Sequence, residues 1–293
     1  MVTSTVSNAV AVMAADNNIT NIEIAIQHSV IALIRVFRDF LNKNIELARI
    51  CRLAVLLKES GVNPGSDLYK KLALLCIEMQ KDDGGWSDVL ESIWCILLLN
   101  IFDEFPDPIK KAYKWLSGQS NDNGGWGNSI RDSARIPNTG LLLYFLPQLS
   151  SSKHINWLEN KWIDEFKLQP CLTYKAAFTL LALRKNKYNI NNQDIITNAL
   201  QWLCTQQNSD GGWGPWKEHP IGSDPWCTGI CMVAIQEYQN KISQQVLANA
   251  LKWLLENQLP NGLWRYHYIE EGSCWALYSL VRGYRLLNDC KVG

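Results

Sequence analysis

Gln207-Asn208-Ser209-Asp210-Gly211-Gly212-Trp213 is the stretch that decides the fold, because the chain carries it four times. The other copies are Gln80-KDDGG-Trp86, Gln119-SNDNGG-Trp126 and Gln258-LPNGL-Trp264. Three are preceded by a tryptophan-leucine pair within an amphipathic stretch: Trp115-Leu116, Trp202-Leu203 and Trp253-Leu254. Self-similarity of this kind is the mark of a repeat architecture. The asparagine, aspartate and glycine cluster breaks a helix into a tight turn. Glycine permits positive φ and close backbone approach. The glutamine amide can bond backbone groups at neighbouring helix ends, and the tryptophan can fill the space between adjacent units. Trp86, Trp126, Trp213 and Trp264 therefore read as structural anchors rather than catalytic groups.

Spacing extends the pattern outward. Trp86 and Trp126 are 40 residues apart and Trp213 and Trp264 are 51 apart, while Trp126 to Trp213 is 87, close to two periods. A degenerate unit fills that gap: INWLENKWIDEFKL (155–168), then CLTYKAAFTLLAL (171–183), a helix pair without the glycine turn. Before the first turn, residues 22–41 and 45–61 add one more pair, the second ending at Gly61, a helix C-cap residue. The total is six helix pairs. The second helix of each is nearly continuously apolar, as in ESIWCILLL (91–99), NTGLLLYFL (138–146) and CTGICMVAI (227–235). A helix apolar all round is buried. Six such helices suffice for an inner ring, with the amphipathic first helices outside. The expected class is all-α, an α6/α6 toroid over residues 21–290, with residues 1–20 as a flexible leader.

Composition narrows the function classes. Lys+Arg and Asp+Glu both number 28 in 293 residues, without the basic excess of a nucleic-acid binder. Hydrophobic residues make up 47%, enough for a sizeable core, and the 13 tryptophans exceed what such a core needs, pointing to anchors and an aromatic-lined pocket. The nine cysteines include no CxxC pair and read as reduced core thiols of a cytoplasmic protein. No apolar run reaches membrane-spanning length. A membrane-surface contact and a homodimer stay open.

The aromatic-Leu, Gln and Trp pattern resembles the repeat motif of squalene-hopene and oxidosqualene cyclases, and the layout of second helices is similar to the β subunits of protein prenyltransferases. The resemblance covers about residues 22–285. It implies an apolar small-molecule substrate in a central cavity, and functional residues between each tryptophan turn and the following helix. Class II terpene cyclases carry Asp-x-Asp-Asp-Thr-Ala there, with the proton donor third. On that motif Asp224 keeps the first aspartate and Thr228 the threonine, while Trp226 and Cys227 replace the other two acids. Glu271 falls on the proton-donor position of the last unit, with Ser273 on the threonine and His267 four residues before Glu271.

The candidate acids are thus Glu271, Asp224 and Glu91. Adjacent acids and burial raise a carboxyl pKa, which a general acid at neutral pH needs. Asp88 and Glu91 also suit an N-cap and capping box. Trp226, Tyr174, Trp94, Tyr266, Tyr268 and Trp275 are the candidate cavity aromatics, able to stabilise a carbocation through their π faces. Cys227, His267, Asp88 and Arg135 are further candidate contacts, and Arg131, Arg135 and Arg265 are the cations available for an anionic group. No cofactor or metal is required for acid-initiated cyclisation. The segment around Asp224 also resembles the prenyltransferase zinc strip Asp-x-x-His-Thr, with Cys227 at the histidine position, so zinc is the alternative cofactor. A toroid that only binds an apolar ligand or a partner is the non-enzymatic alternative.

Overall fold

Each of the four tryptophans is pinned by the same pair of bonds. The indole N–H donates to a backbone carbonyl ten residues back: Trp86 to Cys76 (2.9 Å), Trp126 to Leu116 (2.9 Å), Trp213 to Leu203 (2.9 Å) and Trp264 to Leu254 (2.8 Å). These carbonyls lie in the last turn or two of the preceding helix, where intrahelical donors run out. The backbone N–H of each tryptophan donates forward, to Ser92, Thr139, Thr228 and Ser273 Oγ, all on the following helix. One buried residue thus fixes the exit of one helix through its side chain and the entry of the next through its backbone.

The structure, a computed structural model, describes residues 16–43, 46–63, 65–168, 170–186 and 193–292. Among them are twelve α-helices and no strand. They are α1 (Asp16–Asn42), α2 (Leu47–Glu59), α3 (Ser66–Met79), α4 (Val89–Leu99), α5 (Pro106–Gly118), α6 (Ile136–Phe145), α7 (Ser152–Phe166), α8 (Thr173–Lys185), α9 (Gln193–Thr205), α10 (Pro225–Gln236), α11 (Gln244–Glu256) and α12 (Ile269–Val292). Of the expected leader, residues 16–20 belong to α1, and residues 1–15 lie outside the described residues. No described helix is long and apolar enough to cross a membrane.

The helices gather into two compact units. One holds the described residues up to Val36, Leu172–Ala177 and the chain from Ala199 onward; the other holds Phe37–Cys171 and Phe178–Asn198. In both, first helices bury a narrow stripe and second helices are buried nearly all round. Helix α5 buries Ala112 and Leu116, and α7 buries Ile155, Leu158, Glu159 and Trp162, the i, i+3, i+4, i+7 pattern of an amphipathic helix. Helix α10 is buried from Cys227 through Gln236. In the second unit α4 packs against α2 and α6; in the first, α10 packs against α12. Helix α10 meets α12 closely because Gly229 has no Cβ: one there would lie 2.6 Å from the Trp275 carbonyl carbon.

The turns also fasten the next first helix. Gln80 Nε2 donates to Gly84 O and Pro108 O, Gln207 to Gly211 O and Val246 O, and Gln258 to Gly262 O and Ala25 O. The last of these ties the final turn to α1. In the Trp126 copy the loop is one residue longer, so Gln119 falls out of register. Its Oε1 accepts from Ile130 N instead, and the His154 ring lies 4.4 Å from Trp126, tilted at 50°. The turn glycine must be glycine for two reasons. Gly211 has φ 94° and Gly262 has φ 85°, and a Cβ on either would strike a carbonyl, Asn249 O or His28 O.

These two requirements can be separated experimentally. Gly262→Ala should cost roughly 2–4 kcal/mol in denaturant unfolding, from backbone strain plus collision with α1. Gly222→Ala, at φ 72° with nothing within 4 Å of its Cβ, should cost only about 1 kcal/mol. Equal losses at both sites would show that the glycine–carbonyl contact contributes nothing.

Candidate functional site

Asp224 occupies the N-cap of α10, where its Oδ1 accepts from Cys227 N at 2.8 Å. Asp88 occupies the same position on α4, accepting from Glu91 N at 2.8 Å. Both residues do the ordinary work of a cap, satisfying a backbone donor in the first helical turn. Their surroundings separate them. Asp88 is half-buried and lies beside exposed Ser87, whereas Asp224 is only 8% exposed. Burial raises the Asp224 carboxyl above its ordinary range, and the N–H groups of Cys227 and Trp226 and the charge of His267 only partly offset this. A cap N–H stabilises carboxylate, so a raised pKa in spite of it marks how dry the position is.

Aromatic rings surround the same helix start. The Trp226 ring lies 5.1 Å from Tyr174, edge-on, and 6.5 Å from Tyr266 at an interplanar angle of 11°. The series continues through His267, 4.1 Å from Tyr266, to Tyr268, 4.9 Å from His267. Trp226, Tyr174 and Tyr266 are half-buried, and His267 and Tyr268 are exposed. Helix α12 begins beside α10: a Cβ at Gly272 would lie 2.8 Å from Pro225 Cγ and Tyr266 Cβ. Glu271, in that first turn, is half-buried, and Trp275 one turn later is buried. Asp224, Glu271, Trp226, Cys227, Tyr174, Tyr266, His267, Tyr268 and Trp275 therefore all belong to one unit.

The remaining candidates lie in the other unit. Glu91 is engaged at both oxygens: Oε1 accepts from Ser87 N and Oε2 from Ala48 N, each at 3.1 Å. It reaches back to the start of its own helix and across to α2, as a capping-box glutamate does. Trp94 is buried against Phe145, 5.7 Å away, and its indole N–H meets no acceptor. Arg135 is the N-cap residue of α6, and its guanidinium pairs with Asp132 at 2.8 Å.

Two further residues near these helix starts are not among the candidates drawn from sequence, which takes Glu270 with Glu271 as a solvated helix start. Glu270 is 1% exposed, more deeply buried than its neighbour Glu271. Thr173 Oγ1 donates to Gly214 O at 2.6 Å, tying the start of α8 to the Trp213 turn, near the sulfurs of Cys227 and Cys231. A hydroxyl near the start of five of the six second helices was the available signal: Ser92, Thr139, Thr173, Thr228 and Ser273 form one set, and α2 lacks one. Thr228 and Ser273, matched above to the cyclase threonine, hold the tryptophan N–H of their own turns.

The donor set around Cys227 does not fit zinc. Among the described residues, the group of three Cys, His, Asp or Glu ligand atoms drawn together within 4.8 Å is Cys51, Cys76 and Cys95, not a set on α10. Burial and the Asp224 charge push the Cys227 thiol well up, away from the thiolate a zinc ion binds.

Comparison with known proteins bears on the fold. No family model matches the chain. It is 26% identical over 121 residues to lanosterol synthase of Pneumocystis carinii, covering 38% of this chain and 16% of that protein. It is 22% identical over 214 residues to squalene–hopene cyclase of Zymomonas mobilis, covering 60% of this chain and 32% of that one. The chain thus spans less than a third of these two relatives. Among solved structures it is similar to the type II terpene cyclase MstE from Scytonema bound to geranylgeranyl dihydroxybenzoate as substrate. That likeness has a TM-score of 0.75 at 16% identity, over 93% of this chain and 99% of that chain. A second MstE structure, with merosterolic acid A as product, gives a TM-score of 0.73 at 16% identity over the same shares. The chain is thus similar in sequence to parts of these cyclases and in fold to a solved type II terpene cyclase. The all-α toroid class expected from the six helix pairs is the fold of these neighbours.

The raised carboxyl makes a stability test available. A carboxyl whose folded pKa lies above its unfolded value binds its proton more tightly when folded. Its contribution is present at low pH and is lost as pH rises through the folded pKa. Asparagine keeps the cap without the charge. Asp224→Asn should therefore gain melting temperature relative to the parent between pH 4 and pH 8, and a constant difference would show that Asp224 is not desolvated.

Proposed function

We propose that the chain is an acid-initiated cyclase, of the type II terpene cyclase kind, acting on the prenyl chain of an apolar small molecule. The observation that carries this reading is a buried carboxyl, Asp224, whose hold on its proton is strengthened by burial, at the head of a helix start flanked by Trp226, Tyr174 and Tyr266. Sequence alone ranks Glu271 first; burial moves Asp224 ahead of it. The Asp224 O–H bond breaks as its proton passes to one carbon of an olefin. The neighbouring carbon becomes cationic, the next double bond attacks it to form the ring bond, and loss of a proton ends the sequence. The reaction is a net isomerisation and needs neither oxidant nor metal.

The aromatic faces stabilise the passing cation by about 0.5–2 kcal/mol each. MstE, whose solved structure contains geranylgeranyl dihydroxybenzoate, supports a prenylated aromatic acid as the first substrate class to try. The same reading takes residues 21–290 as one working domain. Eight cysteines that form no disulfide among the described residues support a reducing, cytoplasmic setting.

The reading is tested by turnover of a geranylgeranylated hydroxybenzoate series with three variants. Asp224→Asn should lower kcat by at least about 100-fold, the usual scale for a general acid. Glu91→Gln should leave turnover within a few-fold. Activity of the parent should fall as pH rises through the Asp224 pKa, because the protonated form is the reactive one. Full turnover in Asp224→Asn alongside loss in Glu271→Gln would move the acid to α12. Full turnover in all three variants would end the carboxyl mechanism, and stoichiometric binding without turnover by the parent would favour a binding protein.

A further inference from the structure

Three cysteines from three consecutive helices meet in the interior of the second unit, apart from the α10 site. Cys51 on α2, Cys76 on α3 and Cys95 on α4 are each 0% exposed. Cys51 Sγ lies 3.4 Å from Cys76 Sγ and 3.9 Å from Cys95 Sγ, and all three sulfurs lie within 4.8 Å of one another. The residues around them are fixed. The Cys76 carbonyl accepts the Trp86 indole N–H, and Glu91, whose charge is felt at Cys51 and Cys76, is held at both oxygens by Ser87 N and Ala48 N. Glu91 therefore cannot turn inward as a fourth ligand without giving up a backbone N–H.

We propose that Cys51, Cys76 and Cys95 form a tridentate site for a trivalent soft thiophile of the arsenous-acid class. Soft centres are selected by sulfur ligands. Charge chooses among them, because an apolar interior tolerates a net charge only at high cost. Three thiolates neutralise a trivalent centre completely. Zinc with the same three sulfurs would carry a net negative charge beside Glu91 and would lack the fourth ligand it requires. Monovalent copper would be more negative still. The step balances without electron transfer. Three S–H bonds and three As–O bonds break, three As–S bonds form, and three waters leave carrying the thiol protons. The bound centre would join α2, α3 and α4 through one atom. This inference does not rest on the cyclase reading.

The test uses the full chain, fully reduced, titrated with sodium arsenite and followed by thermal melting and by sulfur-to-arsenic ultraviolet absorption. One arsenic per chain should bind and raise the melting temperature by several degrees, since a ligand of the folded state stabilises it by mass action. Cys51→Ala, Cys76→Ala and Cys95→Ala should each weaken binding by 100-fold or more. Cys231→Ala, which removes half of the Cys227 and Cys231 pair on α10, should leave binding unchanged. Arsenic absorption spectroscopy of the parent supplies a measurement that survives any folding failure in the variants: three sulfur neighbours are expected, and one or two overturn the proposal. Retained affinity in any of the three alanine variants overturns it, as does loss in Cys231→Ala. Tighter 1:1 stabilisation by zinc than by arsenite also overturns it.

Discussion

A buried tryptophan with two hydrogen bonds, one from its indole N–H and one from its backbone N–H, is the constraint on which the rest of this structure depends. Each turn tryptophan ties a carbonyl near the end of one helix to a hydroxyl near the start of the next. The indole needs an acceptor once buried, and the helix end needs a donor. Each satisfies the other. The positions of α4, α6, α10 and α12 then follow, and with them the positions of the side chains that begin those helices. Asp224 lies where it does because Thr228, four residues on, holds Trp213 N at 2.9 Å, and because Asp224 N itself donates to Trp213 O at 3.0 Å.

This explains why candidate functional residues gather at helix starts. The scaffold repeats, and the cap position repeats with it: Asp88, Arg135 and Asp224 are structurally equivalent. What differs is the water around each. Arg135 is exposed and paired with Asp132, Asp88 is half-buried, and Asp224 is enclosed. A repeat architecture can place the same chemical group several times and make only one of the copies reactive through desolvation.

The fold was legible because its signals are local and repeated. The Gln and Trp spacing, the glycine pair and the apolar second helices are all patterns within a few residues, and they led to twelve helices in the right order. The Trp126 copy shows the limit, since its longer loop moves Gln119 out of the role that Gln80, Gln207 and Gln258 share. The site was legible only as a set of candidates. Whether Glu91 is a reactive acid depends on Ala48, 43 residues away, which occupies one of its oxygens. Whether Glu270 or Glu271 faces inward depends on helix phase at a terminus, where boundaries drift by a residue or two. The three-cysteine cluster carries no motif at all, because its members come one from each of three helices.

The bond from Gln258 to Ala25 spans 233 positions of the chain. Helix α1 is made more than two hundred residues before the turn that fastens it. At the roughly 5–20 residues per second of translation, α1 must wait on the order of ten seconds or more for that partner. Its face toward α11 carries Ile22 and Ala25, which are buried in the finished protein. For that interval the cover supplied by the Gln258 turn is missing, so α1 is open to a chaperone or to a neighbouring nascent chain.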